Sequence, residues 1–147
     1  MKKILIFILL SAVILLSGCT DDQILNRKER RVTGTWKIER ATFREDWSLF
    51  NDNVIGFYQD DHITFFDDYT ATYNDNSLLS VFEGDWGLVL ERDFDDDRFT
   101  YIDMQFYDSV NDEVFSYFGE ITFLTHRKMK LTVITDEGRY RFKLLKQ

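Results

Sequence analysis

Few side chains in this sequence are suited to chemistry. It holds one cysteine, Cys19, and two histidines, His62 and His126. A thiolate can be alkylated or can ligate a metal, but neither histidine has a second His or Cys at the short spacing of a zinc site. Serine, histidine and aspartate can meet in space from distant positions, yet no Gly-x-Ser-x-Gly elbow and no Gly-rich phosphate loop is present. Asp93, Asp95 and Asp97 alternate like the first three ligands of a calcium loop. The pattern then breaks, with Arg98 where that loop needs Gly and Met104 where it needs a bidentate Glu. A solvated hairpin turn fits these carboxylates better, and no enzyme activity, metal or cofactor is expected.

The chain around these residues has one domain's length, 147 residues. It contains 14 Phe, 7 Tyr and 3 Trp and no proline, a composition that suits pleated, half-buried strands. Its net charge of −8 argues against nucleic acid as a partner. With a single cysteine there is no intramolecular disulfide, so stability must come from the core.

The position of Cys19 gives it a role. Lys2 and Lys3 precede an apolar run from Ile4 to Leu16, interrupted by Ser11. That run is too short for a bilayer crossing, which takes about 20 residues, and suits a signal peptide. Leu16-Ser17-Gly18-Cys19 resembles the lipobox of bacterial lipoproteins. The resemblance implies cleavage before Cys19, a diacylglycerol on its sulfur and an acylated amino group, with palmitate among the chains. Two or three chains suffice for stable anchoring, since each buried CH₂ contributes about 0.8 kcal/mol. Losing Lys2 and Lys3 would take the mature chain from −8 to −10. Thr20-Asp21-Asp22-Gln23 is similar to the acidic surface-export signal of Bacteroidota lipoproteins. Thr20, rather than Asp, directly after the cysteine points to the outer membrane. The expected organisation is a signal peptide over 1–18, a lipidated cysteine and tether over 19–32, and a folded domain over 33–147.

In the tether, 23–31 is the one stretch with helical character, and Ile24 and Leu25 could cover a barrel end. From Thr33 onward apolar and polar residues alternate with the period of strands. Trp36 and Ile38 share a face, as do Ile63 and Phe65, and Ala71 and Tyr73. The clearest row is Phe82, Gly84, Trp86, Leu88 and Leu90. It is followed by Ile102, Met104 and Phe106, then Met129, Leu131 and Val133, then Tyr140, Phe142 and Leu144. The stretch 115–124 is apolar on both faces and reads as a strand crossing the core or forming a contact edge. Residues 44–61 read as a long loop or lid. The spacing predicts about eight antiparallel strands in a sandwich or barrel.

Gly34-Thr35-Trp36 is similar to the Gly-x-Trp of lipocalins. The ordered set of that motif, Ile63-Thr64-Phe65-Phe66-Asp67-Asp68, the second Gly-x-Trp at Gly84-Asp85-Trp86, and 121–131 resembles the lipocalin-like lipoproteins of Bacteroidota. The resemblance spans nearly all of 33–147. It implies an up-and-down barrel closed by Trp36, with Arg139 or Arg141 stacked on that indole. The C-terminal helix of true lipocalins is missing, and their Thr-Asp-x-x-Tyr element has a loose echo at Thr135-Asp136 and Tyr140.

Two functions follow. The first is a membrane-anchored carrier of a small hydrophobic ligand, whose pocket would hold Phe65, Tyr73, Trp86, Leu88 and Tyr140. The second is a non-catalytic interaction module with a filled core, docking an envelope protein through exposed aromatics or through 115–123. The barrel's interior volume separates them, because a filled core leaves no place for a ligand.

Overall fold

The computed structural model describes residues 20–147. The signal sequence and Cys19 lie outside the described residues. Helix α1 (Thr20–Val32) is followed by β1 (Gly34–Glu45), β2 (Asp52–Asn53), a 3₁₀ turn (Ile55–Tyr58), β3 (His62–Phe65) and β4 (Thr70–Asp75). Then come β5 (Ser80–Arg92), β6 (Arg98–Asp108), β7 (Glu113–Leu124), β8 (Lys128–Thr135) and β9 (Gly138–Lys146).

Each long strand pairs antiparallel with the next, and β1 pairs with β9 from Trp36↔Lys146 to Glu45↔Gly138. The result is a closed eight-stranded antiparallel up-and-down barrel, the architecture that the resemblance implies and one of the two that the strand spacing allows. Closure removes the exposed sheet edges. The two-residue β2 lies against Thr42 and Phe43, continuing the edge of β1 that β3 pairs with nearer its start.

The inward row alternates along every strand. Trp36, Phe65, Ile102, Phe106, Met129 and Leu144 are each at most 1% exposed. Complete burial of such side chains stabilises by about 1.5–3 kcal/mol each. Both Gly-x-Trp glycines have steric reasons. A Cβ on Gly84 would sit 1.8 Å from the Gln105 carbonyl oxygen of β6. Gly34 turns the chain from α1 into β1 with φ +121°, which favours glycine.

The barrel has two unlike ends. The helix end collects α1, the turns 66–69, 93–97 and 125–127, and the last residues of β9. The helix is longer than sequence alone suggested and belongs to the core: Leu25 packs against it and Val32 is fully buried. Asp21 and Asp22 in its first turn and Arg30 and Arg31 in its last suit the helix dipole. Asp21 pairs with Arg92 and Lys28 donates to the Thr100 hydroxyl, pinning the helix across β5 and β6.

The loop end carries 46–61 and the turns 76–79, 109–112 and 136–137. The stretch read as a loop or lid begins as strand, since β1 runs to Glu45, and then folds back over the barrel mouth. The Val54 N–H donates to the Ala41 carbonyl at 3.0 Å. Val54, Ile55 and Tyr58 pack on the core.

Candidate functional site

The five residues expected to line a pocket all come from inward positions, but they are not one cluster. Phe65 and Trp86 meet edge to face at 5.3 Å between ring centroids, towards the helix end. The Trp86 Nε1 donates to the Phe66 carbonyl at 2.9 Å. Leu88 is buried opposite Ile102. Tyr73 stands near the loop end among Phe82, Phe106 and Phe115, at 6.0, 5.8 and 6.4 Å. Tyr140 lies apart, packed on Phe43 at 4.5 Å.

Of the five, Tyr73 alone lines the interior void, together with Ile38, Tyr58, Met104, Phe106 and Tyr117. The void measures about 30 Å³. That is about one water's share of liquid volume, against about 300 Å³ or more for ordinary ligand pockets. Aliphatic and aromatic side chains fill the rest of the barrel.

A polar group that sequence reasoning missed closes the loop end. Asp61 is fully buried. Its Oδ2 accepts from the Tyr73 hydroxyl at 2.5 Å and its Oδ1 from the Asn76 N–H at 2.9 Å. Its own carbonyl accepts from the Ile38 N–H at 3.2 Å. Through its carboxylate and its backbone carbonyl, this one residue ties the end of the lid to β4, the β4–β5 turn and β1. Burial raises the Asp61 carboxyl above its ordinary value, and the two hydrogen bonds only partly offset this. Burial likewise pushes the Tyr58 hydroxyl up to about 12, with neighbouring tyrosines and carboxylates adding to the effect. Tyr73 rises further, through burial and then through its bond to Asp61. Both tyrosine hydroxyls stay protonated near neutrality, and that of Tyr73 serves as a structural donor. In sequence, Asp60-Asp61 looks like one more acidic turn, and only the fold shows that one of the pair points inward.

Trp36 sits at the barrel floor, where the resemblance implies it. Its Nε1 donates to the Val32 carbonyl at 2.6 Å, joining the floor to the end of α1. The stacking cation is different from that expected. Arg139 and Arg141 pair with Arg44 and Thr42 near the loop end of β1, remote from Trp36. Lys146, opposite Trp36 in the register, places its Nζ 5.0 Å from the indole centroid. The same ammonium donates to the carbonyls of Arg31, at 2.8 Å, and Thr33, capping the helix.

The acidic run at 93–97 is a turn. Asp93 Oδ1 accepts from the N–H groups of Asp95 and Asp97 at 3.0 and 2.9 Å, and Arg92 pairs with Asp96. Among the described residues no cluster of His, Cys, Asp and Glu is arranged to hold a metal.

The largest unexplained features are outside. At the loop end, Trp47, Leu49, Leu79 and Val110 are 99%, 90%, 87% and 84% exposed, and Phe50, Phe57 and Leu78 accompany them. Carboxylates stand in or directly beside every connection at this end: Asp46 and Asp52, Asp75, Asp108 and Asp112, Asp136 and Glu137. On β7, Phe115, Tyr117 and Ile121 face inward, whereas Phe118 and Phe123 are half exposed on the wall. Comparison of the chain with family models, characterised proteins and solved structures found no match.

Proposed function

We propose that this chain is a lipid-anchored protein of the bacterial outer membrane, exposed at the cell surface and similar to the lipocalin-like lipoproteins of Bacteroidota. In this reading its barrel is a packed, non-catalytic scaffold that docks another envelope protein. The lipobox at 16–19 supports the anchor, with Cys19 carrying the acyl chains. The observation that carries the scaffold reading is the interior void of about 30 Å³, too small for a lipophile.

The docking surface is the loop end. Exposed apolar patches of this kind mark interaction sites, and α1, which follows Cys19 directly, lies at the opposite end. The interspersed carboxylates select the partner's chemistry: an apolar surface bordered by lysine or arginine. Complementary charge of this sort steers encounter and fixes orientation.

A photo-crosslinking residue at Leu79, compared with one at Phe94 of the helix end, tests this in intact envelopes. The proposal expects a discrete protein adduct from position 79, suppressed when Leu49 and Phe50 are changed to Ser, and none from 94. Equal adducts from both positions, or none from 79, would overturn it. Intact-mass measurement of the native protein tests the anchor, which requires a chain starting at Cys19 with added acyl mass.

A further inference from the structure

A second surface, on the barrel wall, has the opposite charge. Arg40 of β1 lies directly opposite Lys143 of β9, Lys143 opposite Lys130 of β8, and Arg44 opposite Arg139. Arg141 stands between these rows, opposite Thr42 and Thr132. Like charges directly opposed in a sheet are destabilising. Here three such pairs sit side by side in a chain of net charge −8. Two carboxylates temper the wall: Glu39, which pairs with Lys143, and Glu120. Local conflicts of this kind concentrate where a surface serves a ligand rather than the fold.

The wall is also shaped. The ladder shifts register at Glu39 in β1 and at Thr122 in β7. Each bulge leaves two consecutive residues exposed, Glu39 with Arg40 and Thr122 with Phe123. Between them runs a groove of about 820 Å³ holding Arg40, Lys130, Arg139, Arg141 and Lys143. The Arg139 Nε is buried without an acceptor.

We propose that this groove binds a discrete multivalent oxyanion, a ligand carrying several phosphate, sulfate or carboxylate groups. Guanidinium groups offer planar forks of donors that match each of these oxyanions. Strands about 4.8 Å apart set the cations in rows that such a ligand spans. Its charge relieves the repulsion built into the register. The groove is concave, which favours a ligand that enters it over a flat anionic bilayer. This inference is independent of the loop-end docking.

The test uses the full chain in phosphatidylcholine nanodiscs at near-physiological salt, titrated calorimetrically with inositol hexakisphosphate and with a heparin-derived tetrasaccharide. Flotation with phosphatidylglycerol vesicles runs in parallel. We expect saturable one-to-one binding of at least one soluble probe. Lys130→Gln with Arg141→Gln should weaken it about tenfold or more, as loss of charge-assisted contacts implies. That variant should melt at the same or a higher temperature, because Lys130 no longer opposes Lys143. Removing the same charge from α1, by Arg27→Gln with Arg30→Gln, should leave binding within about twofold, since distant sites act independently. Binding of neither soluble probe, equal binding by the wall variant, loss of binding in the helix variant, or association with phosphatidylglycerol vesicles alone would overturn the proposal.

Discussion

Replacing Tyr73 with Phe removes one hydroxyl from the loop end and leaves the ring among its aromatic neighbours. That hydroxyl donates to Asp61 Oδ2 at 2.5 Å, and the Asn76 backbone N–H is the carboxylate's other donor. A hydrogen bond to a charged group contributes about 1.5–3 kcal/mol, so a loss of about 2 kcal/mol is expected at pH 7. Its pH dependence has a definite sign. Burial holds the Asp61 carboxyl above its ordinary value near 3.8, so the folded state takes up this proton more readily than the unfolded chain. The contribution of Asp61 therefore favours folding most at low pH and fades as pH rises through the folded value. Without the Tyr73 hydroxyl, which favours the ionised form, the folded value moves higher still. The variant's deficit should be largest at neutral pH and shrink at pH 4, where protonation relieves the poorly paired charge. Urea unfolding of both proteins at the two pH values measures this. A deficit below about 0.5 kcal/mol at pH 7, the range of ordinary surface changes, would refute the reasoning, as would equal deficits at both.

Other positions test other parts of the barrel. Gly84→Ala places a methyl against the Gln105 carbonyl, so a loss of about 3 kcal/mol or more is expected in urea unfolding. Phe106→Ala, at the wall of the void, should cost about 3–5 kcal/mol. It should also create a dry cavity that takes up xenon, seen as a xenon-induced shift in the NMR spectrum. Lys146→Met removes the ammonium that caps α1 and faces Trp36. About 1–3 kcal/mol should be lost, with faster hydrogen exchange in 29–33. Arg92→Gln, at an exposed partner of Asp21 and Asp96, should leave the urea midpoint nearly unchanged in the same assay.

Much of the barrel is legible in the sequence because one property, alternation with period two, decides which side of a closed sheet each residue faces. Trp36, Phe65, Trp86, Ile102 and Leu131 all fall inward for that reason. The two Gly-x-Trp motifs are equally legible, since steric need for glycine is local. What alternation cannot carry is position around the barrel. Tyr140 and Trp86 both face in, yet one packs on Phe43 and the other on Phe65, so no common pocket follows from their shared direction. The resemblance implies Arg139 or Arg141 as the cation over Trp36, whereas register puts Lys146 there, and register depends on the bulge at Glu39. Asp61 gives no signal, because a buried carboxylate and a solvated one read alike until their partners are known. The basic wall was hidden similarly: Arg40, Lys130 and Lys143 are far apart in sequence and adjacent only once β1, β9 and β8 are paired.

A barrel filled by its own side chains leaves recognition to its outer surface. Titrating residues 20–147 with an environment-sensitive lipophilic dye, followed by competition with palmitate, tests that most directly. A filled interior gives no saturable blue-shifted emission and no displacement. One-to-one binding of the dye, released by stoichiometric palmitate, would show that the interior opens to a lipophile and would contradict it.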